Sequence, residues 1–267
     1  MWLVLVLITV LILVWLMTAR KSKELRYKCF LLTLKESTKR RQTFLEHHDP
    51  SVPIEVIYGV NTKSVENAKK YQNIVDPVYF KESLQLYYGK SKLRTDMTFF
   101  DLGAIGCYMG HMEFYRRCFE QGLKYAVIFE DNVIVSSPEL YDQIQSVIDV
   151  MGDDFEMCFF HCLSRFPDKQ QKGLEKVKWI SSTKCYLIHV ENMQKYYATF
   201  FPIDNHVDMK HEDLIAKGAR VFYKDLRDFM YIDRSHGSTI GHSNHRNPKF
   251  FSKQYPSVTT DVLEYGY

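Results

Sequence analysis

The stretch VIFEDNVIV, residues 127–135, sets Glu130, Asp131 and Asn132 between two apolar runs. A carboxylate buried without a partner costs several kcal/mol, so two acids here belong at a strand end, facing a cation, a base or solvent. Such a pair suits a hard divalent cation, Mg2+ or Mn2+, which takes oxygen ligands and commonly bridges to a substrate's phosphates. A metal-bound nucleotide is the first reading; a solvated turn between two strands is the plain one. The chain has no GxxxxGK[ST] segment, and GAIGCYMG (103–110) lacks the GxGxxG spacing, which removes the P-loop and the dinucleotide fingerprint. Cys158, His161 and Cys162 suggest zinc, but no second ligand pair of matching spacing follows.

Positioning the acid pair requires a strand that ends there and a layer of helices around it. CFLLTL (29–34) and IEVIYG (54–59) read as strands, the second with a glycine stop. Between them STKRRQTFLEHH reads as a helix, with Ser37 and Thr38 as candidate N-caps and Phe44 and Leu45 on one face. YFKESLQLYYGK is open between a helix and a loop. A helical pattern runs from Gly103 to Gln121, with Gly122 as its C-terminal cap, before the strand YAVIF. Strands follow at EMCFFHC, KCYLIHV and ARVFY, with helical segments near 138–150, 191–200 and 211–217. This alternation predicts an α/β layer fold with a largely parallel central sheet. In such sheets the ligand crevice lies beyond the carboxyl ends of the strands, where Glu130 and Asp131 fall.

The 267 residues are 46% hydrophobic and 15% aromatic, enough for one sizeable core. Lys+Arg 35 against Asp+Glu 32 leaves a net charge of +3, which excludes the strongly basic footprint of a nucleic-acid binder. MWLVLVLITVLILVWLM (1–17) has no charge, and as a helix it spans about 25 Å, so residues 18 and 19 extend it toward a hydrocarbon core of about 30 Å. A retained single-pass transmembrane helix over 1–19 is expected rather than a cleaved signal peptide, since no positive segment precedes it and no small-x-small site follows. A basic juxtamembrane linker (20–27) comes next, then one domain (28–245) and a C-terminal tail (246–267). Arg20, Lys21, Lys23, Arg26 and Lys28 after the span favour a cytoplasmic body, and the six cysteines, mostly inside apolar runs, read as reduced core thiols.

Five motifs in order resemble glycosyltransferase family 25, from about Lys28 to His242. LLTLKESTKRR resembles the family's opening strand and loop, with Thr33-Leu34 for an Asn-Leu pair and Arg40 as the matching basic residue. AIGCYMGH resembles its Gly-Cys-x-x-Ser-His signature, giving Gly106, Cys107 and His111, with Gly110 in place of the serine. IFEDN resembles Glu-Asp-Asp, with Asn132 replacing the last acid; KCYLIHVENM and FPIDNHVD resemble the later strand and the Pro-x-Asp-x-x-x-Asp stretch with Asp204 and Asp208. The resemblance implies a GT-A fold, a UDP-sugar donor, a Mn2+ or Mg2+ cofactor, a saccharide or protein hydroxyl as acceptor, and inversion at the anomeric carbon. It implies Glu130, Asp131 and Asn132 at the cation, with His242 from a late polar loop, and Thr33, Leu34, Arg40 and His111 around the nucleotide. The spacing of His111, Tyr115 and Cys118 turns the histidine inward, so a core role stays open, as a solvated helix start does for Arg40. Inversion needs a carboxylate base, for which Asp208 and Asp213 compete. A catalytically silent member that binds nucleotide sugar or glycan as a recognition module is the alternative that Asn132 keeps alive.

Overall fold

The computed structural model describes residues 24–88, 100–235 and the backbone of 259–260. The expected membrane helix (1–19), His242 with its loop, and the tail beyond Thr260 lie outside the described residues. No helix among those described is long and apolar enough to cross a membrane.

In chain order the elements are β1 (Lys28–Leu34), α1 (Thr38–His47), β2 (Ile54–Gly59), α2 (Val65–Lys69), α3 (Pro77–Tyr87), α4 (Leu102–Glu120), β3 (Tyr125–Glu130) and β4 (Val133–Val135). Then follow α5 (Leu140–Met151), β5 (Met157–Phe159), β6 (Ser164–Gln171), β7 (Leu174–Ser181), β8 (Cys185–His189), α6 (Val190–Gln194), α7 (Val207–Ala216), β9 (Val221–Tyr223), β10 (Met230–Ile232) and β11 (Thr259–Thr260). Among the described residues a nine-stranded sheet runs β11-β6-β7-β9-β5-β8-β3-β1-β2, and β10 pairs with β4 beside it.

The α/β layering is as expected, but the sheet is mixed rather than largely parallel. β1 is parallel to β2 and β3, and β5 to β9, whereas β8 runs against both β3 and β5, β7 against β9 and β6, and β11 against β6. Helix alternation suggested crossovers throughout; β8 instead inserts between β3 and β5 in the opposite direction. The β6–β7 hairpin escapes a hydrophobic-pattern reading because β6, SRFPDKQQ, is mostly outside the core. The segment 77–87, open between helix and loop, is a helix: the Asp76 side chain accepts from the N–H of Val78, and proline opens the first turn.

Strand alternation divides the interior into two cores. Phe30, Leu32, Ala126, Ile128, Tyr186 and Ile188 face α4 and α7. Cys29, Leu31, Val127, Phe129, Cys185 and Leu187 face α1 and α5. Helix α5 shows why its sequence is helical: Leu140, Tyr141, Ile144, Val147, Ile148 and Met151 recur at helical spacing and are all buried, each full burial contributing about 1.5–3 kcal/mol. In α1, Phe44 is fully buried but Leu45 is 44% exposed, so the two do not share the buried face, and Ser37 caps without a side-chain hydrogen bond. Helix α4 ends as expected at Gly122, whose φ of +59° is the left-handed turn that glycine adopts freely; its N–H donates to Phe119 O and that of Leu123 to Cys118 O.

The start of α4 is tied to the loop after β2 by one hydroxyl. Thr62 Oγ1 accepts from the N–H of Gly106 at 2.8 Å and donates to the carbonyl of Leu102. It enters the helix ladder between a residue and its i−4 partner, which requires an approach that only glycine permits. A Cβ on Gly106 would lie 2.1 Å from Val60 O and 2.7 Å from Thr62 Oγ1. Gly110, where the resembled signature has serine, faces Leu32 Cδ1 at 2.8 Å from such a Cβ. Gly106→Ala should therefore destabilise the protein by about 1–3 kcal/mol or more, read as a lower urea midpoint at pH about 7. An unchanged midpoint would mean that the loop and α4 do not meet as described.

Candidate active site

The carboxyl ends of β1, β2 and β3 lie on one edge of the sheet, and the start of α4 stands over that edge. A cleft opens between them, with Thr33 and Leu34, Gly59 to Lys63, Gly106 and Cys107, and Glu130 and Asp131 on its walls. Because β8 is antiparallel to β3, its leading residues Thr183 and Lys184 arrive at this same edge.

Glu130 and Asp131 are adjacent in the chain but belong to opposite faces of the sheet. Glu130 continues the face of Ala126 and Ile128, toward α4, and Asp131 that of Val127 and Phe129, toward α1. Each meets its own protein cation. Glu130 Oε1 accepts from the Thr183 hydroxyl at 2.7 Å, and Oε2 from Lys184 Nζ at 2.6 Å. Asp131 Oδ1 pairs with Arg40 Nη2 at 2.7 Å, and Oδ2 accepts from Thr33 Oγ1 at 2.7 Å. The acids thus form two buried ion pairs rather than one joint shell. Burial works against the Glu130 charge, yet Lys184 and His111 outweigh it and hold the carboxyl well below its ordinary range. For Asp131 burial prevails over Arg40 and Thr33, and the nearby Glu130 adds to it, so its carboxyl lies above its usual value.

Arg40 is buried, not a solvated helix start; it spans from α1 to the cleft floor. Leu34 contributes its carbonyl, which accepts from the N–H of Ser37 and from Arg41 Nη1. Asn132 turns away from β3: its carbonyl accepts from the N–H of Asp233, and its Oδ1 is buried without a hydrogen-bond partner. His111 is fully buried as its spacing predicts. Its Nδ1 lies 2.9 Å from Tyr186 Oη, while Nε2 points toward Glu130 Oε1 at 3.8 Å with no hydrogen bond.

The two candidate bases part company in α7. Asp208 lies in the first turn, close enough to the cleft for its charge to act on Cys107, whose thiol is raised mainly by burial, then by Glu130, with Asp208 adding and Lys184 opposing. Asp213 is bridged to Lys210 Nζ at 3.1 Å, the ammonium that also holds Asp204 at 2.6 Å, and its side chain is 54% exposed. His211, between them, is fully buried; burial, with His111 adding, pushes it down to about 3, and its Nε2 lies 3.3 Å from the Tyr115 hydroxyl.

Thr183, Lys184 and Thr62 are site residues that the sequence motifs did not single out, and His161, noted there only beside Cys158 and Cys162 as a zinc suggestion, lies near them. His161 follows β5 at this edge, bonded through Nδ1 to Ser182 Oγ at 3.0 Å, with burial and then Lys184 lowering it to about 4. The polar SSTK run before CYLIHV was the available signal for Thr183 and Lys184, because a cation directly before a buried strand needs a partner.

The profile of glycosyltransferase family 25 (LPS biosynthesis protein) matches residues 27–211. No curated protein sequence matches the chain. Solved structures with some likeness include A197 from STIV, at 10% identity, 78% coverage of this chain and 86% of that one, and a TM-score of 0.40. A glycosyltransferase involved in glycosylation of the major capsid of PBCV-1 gives 12%, 74% and 81%, and 0.38. An active-site mutant of LgtC gives 11%, 87% and 86%, and 0.37.

The Glu130–Lys184 pair yields a stability prediction. A carboxyl held below its unfolded value stabilises the fold at every pH above the ordinary carboxylate range, and the contribution is lost as pH falls through the lower folded value. Lys184→Met leaves the buried acid uncompensated and should cost about 3–5 kcal/mol at pH about 7 in urea unfolding. Near pH 4 the loss should shrink, because Glu130 without its cation takes up a proton. An equal loss at both pH values would show that the ammonium acts through packing alone.

Proposed function

The chain belongs to glycosyltransferase family 25, and from that premise we propose that it moves a hexose from a UDP-sugar to a hydroxyl of a saccharide or protein acceptor, with inversion, on a GT-A-type domain. The single observation that carries this reading is the cleft at the carboxyl edge, where Arg40 and Lys184 are fixed beside Asp131 and Glu130. Departure of a nucleoside diphosphate builds negative charge on its phosphates, and fixed cations in a partly dry cleft stabilise that charge more than water does. Lys63 on the same wall and the positive end of the 19-residue helix α4 add to it. Thr33 and Leu34, with the Gly59–Lys63 loop, form the walls between which the nucleotide is proposed to lie.

A Mn2+ or Mg2+ shell on Glu130, Asp131 and Asn132 does not fit this arrangement. The two acids face different layers of the sheet and each is paired with its own cation, Lys184 for Glu130 and Arg40 for Asp131, so they do not converge on one ion. Asp208 is proposed as the base that takes the acceptor hydroxyl's proton as the oxygen attacks the sugar, because its charge is felt by Cys107 on the cleft wall while Asp213 is committed to Lys210. The apolar run 1–17, extended to 19, is proposed to tether this domain to a membrane as a single span.

Hydrolysis and transfer of UDP-sugars by the purified protein, across several donors, test the reading. Asp208→Asn should lower turnover by about a hundredfold or more and leave UDP affinity nearly unchanged, with Asp213→Asn close to the unaltered protein. The opposite pattern would move the base to Asp213. UDP-sugar binding without turnover under every donor and acceptor condition would favour a recognition module instead.

A further inference from the structure

The feature that the transferase chemistry leaves unused is the convergence of Cys107, His111 and Glu130. One ligand atom from each lies within 4.8 Å of the others. Cys107 and His111 are four residues apart on α4, one helical turn, and Glu130 meets them because its place in the strand alternation turns it toward that helix. His111 is 0% exposed, and its Nε2 is buried without a hydrogen-bond partner while facing Glu130 Oε1 at 3.8 Å. A fully buried ring nitrogen left unpaired costs about 1–3 kcal/mol, so it calls for a partner.

We propose that Cys107, His111 and Glu130 bind one borderline transition-metal ion, zinc or a chemical equivalent, with a fourth position open to the cleft. A thiolate, an imidazole and a carboxylate are a zinc donor set, not one for Mg2+ or Mn2+. Tetrahedral bonds of about 2.0–2.3 Å put ligand atoms about 3.3–3.7 Å apart, close to the 3.8 Å that separates His111 Nε2 from Glu130 Oε1. Thr183 occupies one lone pair of Glu130 Oε1 and leaves the other for the ion, and Lys184 holds Oε2. With Nε2 on the metal, the Nδ1 proton is donated to Tyr186 Oη, the outer contact that orients a ligating histidine. Binding replaces the thiol proton, released to solvent, by a sulfur–metal bond, and no electron changes hands. Cys107 and Glu130 line the cleft, so the fourth position faces it and suits water or a phosphate oxygen. Only the identity of that last occupant rests on the transferase reading.

The test is metal titration of the full-length protein in detergent, without nucleotide. Co2+ should bind one per chain with a thiolate-to-cobalt charge-transfer band. Stoichiometric Zn2+ should displace it, and about a hundredfold excess of Mg2+ should not. Cys107→Ser should abolish the band and Cys162→Ser should keep it. In the unaltered chain, Zn2+ should protect Cys107 from iodoacetamide, read by peptide mass spectrometry, and this decides the matter if the Cys107 variant does not fold. Absence of the band, its survival in Cys107→Ser, displacement by Mg2+ as effective as by Zn2+, or an unprotected Cys107 would each overturn the site. With no donor present, failure to transfer sugar leaves this result untouched.

Discussion

Side chains of consecutive residues in a strand point to opposite faces of the sheet, and at the end of β3 this rule governs the whole cleft. Glu130 and Asp131 cannot both turn toward one layer, so each is neutralised from a different side. Lys184 reaches Glu130 beneath α4, and Arg40 reaches Asp131 from α1. A buried ion pair gains little over a well-packed apolar pair, but losing one partner strands a charge in low dielectric. The four residues are therefore mutually dependent, and they lock α1, β3 and the lead into β8 at the edge where ligand would enter.

The direction of β8 makes the α4-side pair available. Were β8 parallel to β3, its leading end would fall on the far edge of the sheet, and Thr183 and Lys184 would be a strand length away. Running antiparallel, it delivers both to Glu130 and places Tyr186 two residues further on, within 2.9 Å of His111 Nδ1. On the other wall the Thr62 hydroxyl, admitted by the missing side chain of Gly106, holds the loop after β2 against α4. Among the described residues, this wall of the cleft is held by hydrogen bonds between the loop and the start of α4, which fixes the charges beside it in place.

The electrostatics follow from the same geometry. Two acids and two bases sit beside one another with almost no net charge, and the cations are aligned before any anion arrives. Lys184 keeps Glu130 well ionised against its burial, while for Asp131 burial outweighs the opposing pull of Arg40 and raises the carboxyl above its usual value. A diphosphate entering this cleft would meet guanidinium and ammonium groups already paid for in desolvation by their carboxylate partners. Asp208 stands apart, at the start of α7 and free of the Lys210 bridge that takes up Asp204 and Asp213.

Much of this was legible in local pattern. The strand ending at Glu130, the helix from about 103 to 121 with its glycine cap, the inward turn of His111 and the family resemblance from about Lys28 to His242, which the family profile matches over residues 27–211, all depend on neighbours within a few residues, and composition and spacing record those directly. What each acid would touch was not recorded there. Adjacency suggested one shell for Glu130, Asp131 and Asn132, but their partners lie 54 and 91 positions away for Lys184 and Arg40. The direction of β8 and the pairing of hydroxyls and cations across the sheet edge are set by long-range register and by the need to compensate buried charge. Only the folded chain brings those groups together, and so only the tertiary structure decided that the acid pair is divided between two layers.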